Sequence, residues 1–165
     1  MNMTYKNRNT IMYIILVIGI PMFIALCLLL YLHSLNLTIS VNVGHAMEPT
    51  IKDREIMVIN RKIKHISRGD IIAFHPPHRP EVSYVKRIVG LPSEKVSVES
   101  GHVFINGKRL EEPYLDDKNI EPDHMDQRGI PMDAFFVLGD NRKNSSDSRH
   151  WGDVPRNLIK GKIVF

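Results

Sequence analysis

Lys86 is the residue with the most chemistry to offer. It lies in Ser83-Tyr84-Val85-Lys86-Arg87-Ile88-Val89, an apolar segment carrying two adjacent cations. On an alternating strand Lys86 shares a face with Tyr84 and Ile88, and Arg87 points the other way. That pattern allows a buried Lys86 and a solvated Arg87. Burial disfavours the charged form, so a lysine taken out of water falls from its reference pKa of about 10.4 toward neutrality. A neutral lysine can take the proton of a hydroxyl and make it a nucleophile. Strand pattern alone does not select this outcome, because a lone strand lysine is ordinarily a surface charge. A second cluster, Gly139-Asp140-Asn141-Arg142 through Ser145 to Asp147-Ser148-Arg149, mixes hydroxyls with an acid–base pair. Read locally, Asp140 and Asn141 make turn hydrogen bonds and Ser145 caps a turn. A third stretch, Gly44-His45-Ala46-Met47-Glu48-Pro49-Thr50, is turn-like, with Pro49 restricting the chain after Ala46.

These residues must be positioned by a chain with a divided composition. Ile11 to Leu32 is an uncharged run of 22 residues, close to the roughly 20 needed to cross a bilayer as a helix. Pro21 within it predicts a local kink that a membrane helix tolerates. The run is too long for a cleavable signal core and lacks a small-x-small exit, so it reads as a retained anchor. Lys6 and Arg8 precede it and no acidic residue occurs before Glu48. The positive-inside rule then puts the N-terminus in the cytoplasm and the rest outside. The organisation expected is a tail over 1–10, an anchor over 11–32 and an extracytoplasmic domain over 33–165, its first ten residues a juxtamembrane stretch.

After the anchor the pattern is β. Ile56-Met57-Val58-Ile59, Ile71-Ile72-Ala73-Phe74, Tyr84 to Val89, Lys95 to Val98, Val103-Phe104-Ile105, Phe135-Phe136-Val137-Leu138 and Ile163-Val164-Phe165 are short apolar runs bounded by turn residues. Asn106-Gly107 predicts a hairpin turn. Helix should be scarce. The expected fold is mainly β, packed antiparallel sheets or a barrel, behind one transmembrane helix. Asp116 to Asp133 is polar and reads as a long surface loop.

Several function classes recede. The net charge of +4 falls to +2 without Lys6 and Arg8, which is no nucleic-acid footprint. The single cysteine, Cys27, is inside the apolar run, so the exported part has no disulfide framework. His75-Pro76-Pro77-His78 supplies two imidazoles without a third ligand at metal spacing, and reads as a proline-rich loop. No metal or cofactor is expected.

Four motifs in order carry a resemblance. They are Gly44-x-x-Met47-x-Pro49-Thr50, Arg68-Gly69-Asp70-Ile71-Ile72, Tyr84-Val85-Lys86-Arg87-Ile88-Val89-Gly90-Leu91-Pro92, and Gly139-Asp140-Asn141-Arg142-x-x-Ser145-x-Asp147-Ser148-Arg149-x-Trp151-Gly152. Behind an N-terminal anchor, they resemble the conserved boxes of type I signal peptidases, the membrane-bound serine/lysine proteases of the S26 family. The likeness runs from about Gly44 to Val154.

The resemblance implies a plasma-membrane enzyme that removes signal peptides from exported preproteins, with signal peptides and the bilayer as its partners. It puts Ala46 at the position of the nucleophilic serine. Lys86 becomes the general base and then the acid that protonates the leaving amine. Ser145 hydrogen-bonds and orients that lysine, and Asp147, Arg149 and Asp140 brace the site. Met47, Tyr84 and Val85 face the substrate, although a buried Met47 is an equal alternative. The backbone N–H of residue 46 is an oxyanion donor, and Gly44 stands where some relatives add a hydroxyl. Only 14 steps separate Leu32 from Ala46, at most about 50 Å of extended chain, so the site stays within reach of a bilayer-embedded substrate.

A methyl group cannot attack a carbonyl, so the chain as written is expected to be inactive. An introduced Ser-to-Ala exchange is favoured, because Lys86 is a costly group to retain without use. The alternative is a naturally non-catalytic homologue that binds signal peptides or assists assembly. A third reading is a maturation peptidase dedicated to one substrate.

Overall fold

An apolar helix and a β domain divide the chain. The computed structural model describes residues 10–164, without the side chains of Leu32 and His33; the expected tail lies almost wholly outside these residues. Two compact units meet between Thr38 and Ile39. The first contains helix α1, whose apolar span is Thr10–Tyr31, with a mean hydropathy of 2.9 and no buried part. Its α-helical stretch Ile20–Ser34 follows one π-helical turn, Ile15–Gly19, in which the Ile20 N–H donates to the Ile15 carbonyl. Pro21 follows directly. It has no N–H to give, and in a regular α-helix its ring would clash with the carbonyl four residues back, so a widened turn there is a local adjustment to proline. A helix apolar all round suits a lipid environment.

The second unit holds two antiparallel sheets, apart from the first two residues of β1, Leu37 and Thr38. The larger is seven-stranded, in the order β1-β2-β11-β3-β4-β9-β10. Its members are β1 (Leu37–Val41), β2 (Ile56–Asn60), β3 (Ile71–Phe74), β4 (Tyr84–Gly90), β9 (Ala134–Leu138), β10 (Val154–Pro155) and β11 (Ile159–Val164). The smaller has the order β7-β6-β5-β8, built from β5 (Lys95–Glu99), β6 (His102–Ile105), β7 (Lys108–Arg109) and β8 (Met125–Gly129). The expectation of a mainly β fold of packed antiparallel sheets with one N-terminal apolar helix holds.

The central strands are apolar on both faces because both faces are covered. In β9, Phe136 and Leu138 join Val89, Val96, Val98 and Val103 between the sheets, whereas Phe135 and Val137 pack with Ile72, Phe74 and Ile88 on the opposite face. The same alternation in β3 sends Ile71 and Ala73 into a third cluster with Met47, Ile51, Met57 and Ile163. Asn106-Gly107 forms its turn as expected, with φ of 51° and 78° in the left-handed region.

Three expectations need correction. The juxtamembrane stretch contains an edge strand, β1, absent from the strands expected above although Leu37-Thr38-Ile39-Ser40-Val41 alternates. Asp116–Asp133 is not one long loop. It holds a 3₁₀ turn at Asp117–Asn119 and strand β8. Met125-Asp126-Gln127-Arg128-Gly129 shows no apolar alternation because β8 is a sheet edge that pairs only with β5. Arg87, which alternation allowed to face solvent, is 9% exposed. Thr50, Asp140 and Tyr114, from three separate segments, cover the face toward which it points.

Candidate active site

The Ala46 segment is held by its own apolar residues. Met47 is 1% exposed and Ile51 is fully buried, and together they pin the turn to the sheet. Asn42 Nδ2 donates to the carbonyls of Gly44 and Lys52, and the Gly44 N–H donates to Asp53 Oδ1 at 2.7 Å. The buried alternative for Met47 is therefore the one realised, although the residue still borders the cleft.

A second segment closes on the first from the end of β9. The Asn141 N–H donates to the Ala46 carbonyl at 3.0 Å. Gly139 permits this approach: a Cβ there would fall 2.5 Å from the Ala46 carbonyl oxygen and onto the Ser145 side chain. Beyond it, the Asp147 carboxylate accepts from the Gly139 N–H at 3.1 Å and caps the short helix α2 (Ser148–Trp151). Arg149 grips Asp147 at 2.8 and 3.0 Å and the Arg142 carbonyl at 2.8 Å. Charge-assisted bonds of this kind fix a loop that has no sheet partners.

Lys86 comes from β4, between β3 and β9. It is 5% exposed. Burial pulls its pKa from 10.5 down to about 8, against the opposing pull of Asp147 and Asp140. Its Nζ lies 5.5 Å from the centre of the Tyr84 ring. Ser145 Oγ is buried with no hydrogen-bond partner among the described residues, so the bond to Lys86 implied by the resemblance is not made. The lysine lies instead over the aromatic ring.

Asp140 does more than shape a turn. It accepts from Arg87 Nε at 2.8 Å and Nη2 at 2.6 Å, and from Thr50 Oγ1 at 2.5 Å. A cleft of about 260 Å³ is lined by Ser40 to Gly44, from the end of β1 into the bend at Gly44, and by Ser83 to Lys86, at the start of β4. Ala46, Lys86, Tyr84 and Val85 all line it, as does Ser146, and Ser145 is not among the lining residues.

A family model described as signal peptidase, peptidase S26, matches residues 13–165. The chain belongs to the S26 signal peptidase family. Signal peptidase I of Leptolyngbya laminosa is 40% identical over 132 residues, covering 73% of this chain and 64% of that protein. Signal peptidase I of Bacillus caldolyticus is 34% identical over 162 residues, 88% of this chain and 87% of its own. The crystal structure of a signal peptidase I from Enterococcus faecalis V583 superposes with a TM-score of 0.55 at 31% identity, covering 62% of this chain and all of that one.

Within this S26 family member, four polar residues of the site region carried no functional assignment from sequence: Thr50, Glu112, Tyr114 and Arg142. Arg142 is 3% exposed and bonds the Gly139 carbonyl from Nε at 3.0 Å. Glu112 and Tyr114 come from a stretch with no periodicity, so only burial reveals them. His75 and His78 are structural: His75 Nδ1 meets the Val82 carbonyl at 2.7 Å, and His78 stacks beside Trp151 and Tyr84.

Proposed function

We propose that this chain is a membrane-anchored type I signal peptidase body that binds signal peptides but cannot cut them, because Ala46 occupies the nucleophile position. The observation that carries the reading is a buried lysine with its pKa down to about 8, lining one cleft with the residue that should be a serine.

Strand residues of β1 (Ser40-Val41) and β4 (Tyr84 to Lys86) border the cleft, which suits a substrate that lies there as an added strand. The family resemblance implies small side chains before the cut. The Ala46 N–H donates to no other group among the described residues, which leaves it to hydrogen-bond a developing oxyanion. With a hydroxyl at position 46, neutral Lys86 would take its proton as the oxygen attacks the scissile carbonyl. The lysine would then protonate the departing amine, and next activate the water that releases the acyl group. Asp147 and Arg149 keep the Gly139–Asp147 loop in place. Ser145, whose buried hydroxyl is unpartnered among the described residues, is the one that the family resemblance implies would orient the lysine. Helix α1 would hold the domain at the outer face of the plasma membrane, with the basic N-terminus inside.

The retained Lys86 favours a recoverable peptidase over a site already decayed. The deciding experiment restores the hydroxyl with Ala46→Ser and supplies a preprotein in detergent or liposomes. Cleavage should appear and should vanish with Lys86→Ala, because losing one member of a catalytic unit costs on the order of 10⁶ in rate. An Ala46→Ser protein that folds, binds a signal peptide and leaves it intact would sink the peptidase reading in favour of a binding homologue.

A further inference from the structure

Glu112-Pro113-Tyr114, between β7 and the 3₁₀ turn Asp117–Asn119, belongs to neither sheet, yet its polar side chains end in the interior. The Glu112 side chain is 5% exposed. It accepts from Arg142 Nη2 at 2.5 Å and Nη1 at 3.3 Å. The Tyr114 hydroxyl donates to the same Glu112 oxygen at 2.6 Å. Its ring lies against Arg87, with the guanidinium carbon 3.9 Å from the ring centre. Burial, and then the Glu112 carboxylate, push the Tyr114 pKa well up, so the hydroxyl stays a donor.

From this segment two arms run to one dipeptide. Glu112 holds Arg142, whose Nε donates to the Gly139 carbonyl at 3.0 Å. Tyr114 backs Arg87, which grips Asp140. Gly139-Asp140 is where the space between Ala46 and Ser145 is set. We propose that Glu112 and Tyr114 form a strap that positions the Gly139–Asp147 loop against Ala46 and Lys86. Neither residue lines the cleft, so both act through others. The consequence for turnover rests on the peptidase reading above; the consequence for the loop does not.

A buried ion pair can be purely structural, and apolar residues of similar volume then often replace it without loss of stability. That distinction supplies the test. Glu112→Leu/Arg142→Met removes the pair together, and Glu112→Gln keeps the shape while removing the charge. Hydrogen exchange is followed in the full chain, with Ala46 in place, in detergent. The Gly139–Asp147 peptide is compared with the Lys95–Ile105 hairpin of the same molecule. The strap predicts exchange in the loop about tenfold faster or more, with the hairpin unchanged. In the Ala46→Ser background kcat should fall about 10- to 100-fold while KM stays near the parent, as expected when reacting groups are misplaced but binding survives. Should the double variant be destabilised, Glu112→Gln decides by the same loop-to-hairpin ratio. A ratio unchanged in both variants overturns the strap, as does unchanged kcat in an active Ala46→Ser parent. If Ala46→Ser never cleaves, the peptidase reading fails, and the exchange ratio still decides whether the strap exists.

Discussion

Lys86 and Arg87 are consecutive on β4 and both are buried, yet only Arg87 has a carboxylate in its grasp. Asp140 meets it with two bonds of 2.8 and 2.6 Å, while Lys86 Nζ has an aromatic ring 5.5 Å away. The pairing keeps one cation charged, and the missing partner lets burial bring the other toward neutrality. One strand thus carries a structural cation and a candidate base side by side.

The Arg87–Asp140 pair predicts a large stability loss on removing one partner. Asp140→Ala leaves a buried guanidinium without its counter-charge, and should cost about 3–5 kcal/mol. Thr50 loses its acceptor as well. Denaturant unfolding in detergent measures this; a loss under about 1 kcal/mol would mean that Arg87 escapes to water.

Lys86 should cost stability at neutral pH. Its pKa is about 8 in the folded chain against an ordinary 10.5, so between these values the unfolded chain holds a proton that the folded one does not. Stability therefore rises with pH across that window, and the full deficit is present below about 8. Lys86→Met should unfold at a higher temperature than the parent at pH 7, by an effect on the order of 3 kcal/mol. Its advantage should shrink as pH approaches 10.5. A difference independent of pH would show that Lys86 is not held in this shifted state.

Restoring the hydroxyl should expose the same titration in catalysis. In Ala46→Ser, kcat/KM should climb with pH and level off above about 8, because the base must be neutral in the free enzyme. A rate already flat from pH 6 would assign the proton transfer to another group.

Gly139→Ala tests the close approach of the two site segments. The added methyl would meet the Ala46 carbonyl and Ser145, so overpacking should cost about 1–3 kcal/mol. In the Ala46→Ser background cleavage should fall further than the unfolded fraction explains, compared by activity per folded molecule. Parental activity and stability would mean the loop has slack.

Most of the strands were legible because central strands need apolar residues on both faces, as in Ile71–Phe74 and Phe135–Leu138. The Asn106-Gly107 turn was legible through its demand for left-handed backbone. β8 was hidden, because Met125-Asp126-Gln127-Arg128-Gly129 carries no apolar alternation and its place is set by pairing with β5. The alternation of β1, in contrast, was present in Leu37–Val41 and was overlooked beside the anchor. The anchor, the four motifs and the alanine at position 46 were likewise open to reading, because each is local in sequence. Where the charges went was not. Alternation put Arg87 opposite Lys86, but whether that side was water or protein depended on Asp140, Thr50 and Tyr114 arriving from distant segments. Glu112 and Arg142 are 30 residues apart, and no local pattern says they meet. Local preference sets strand and turn; the partner of a buried charge is settled only when the chain closes around it.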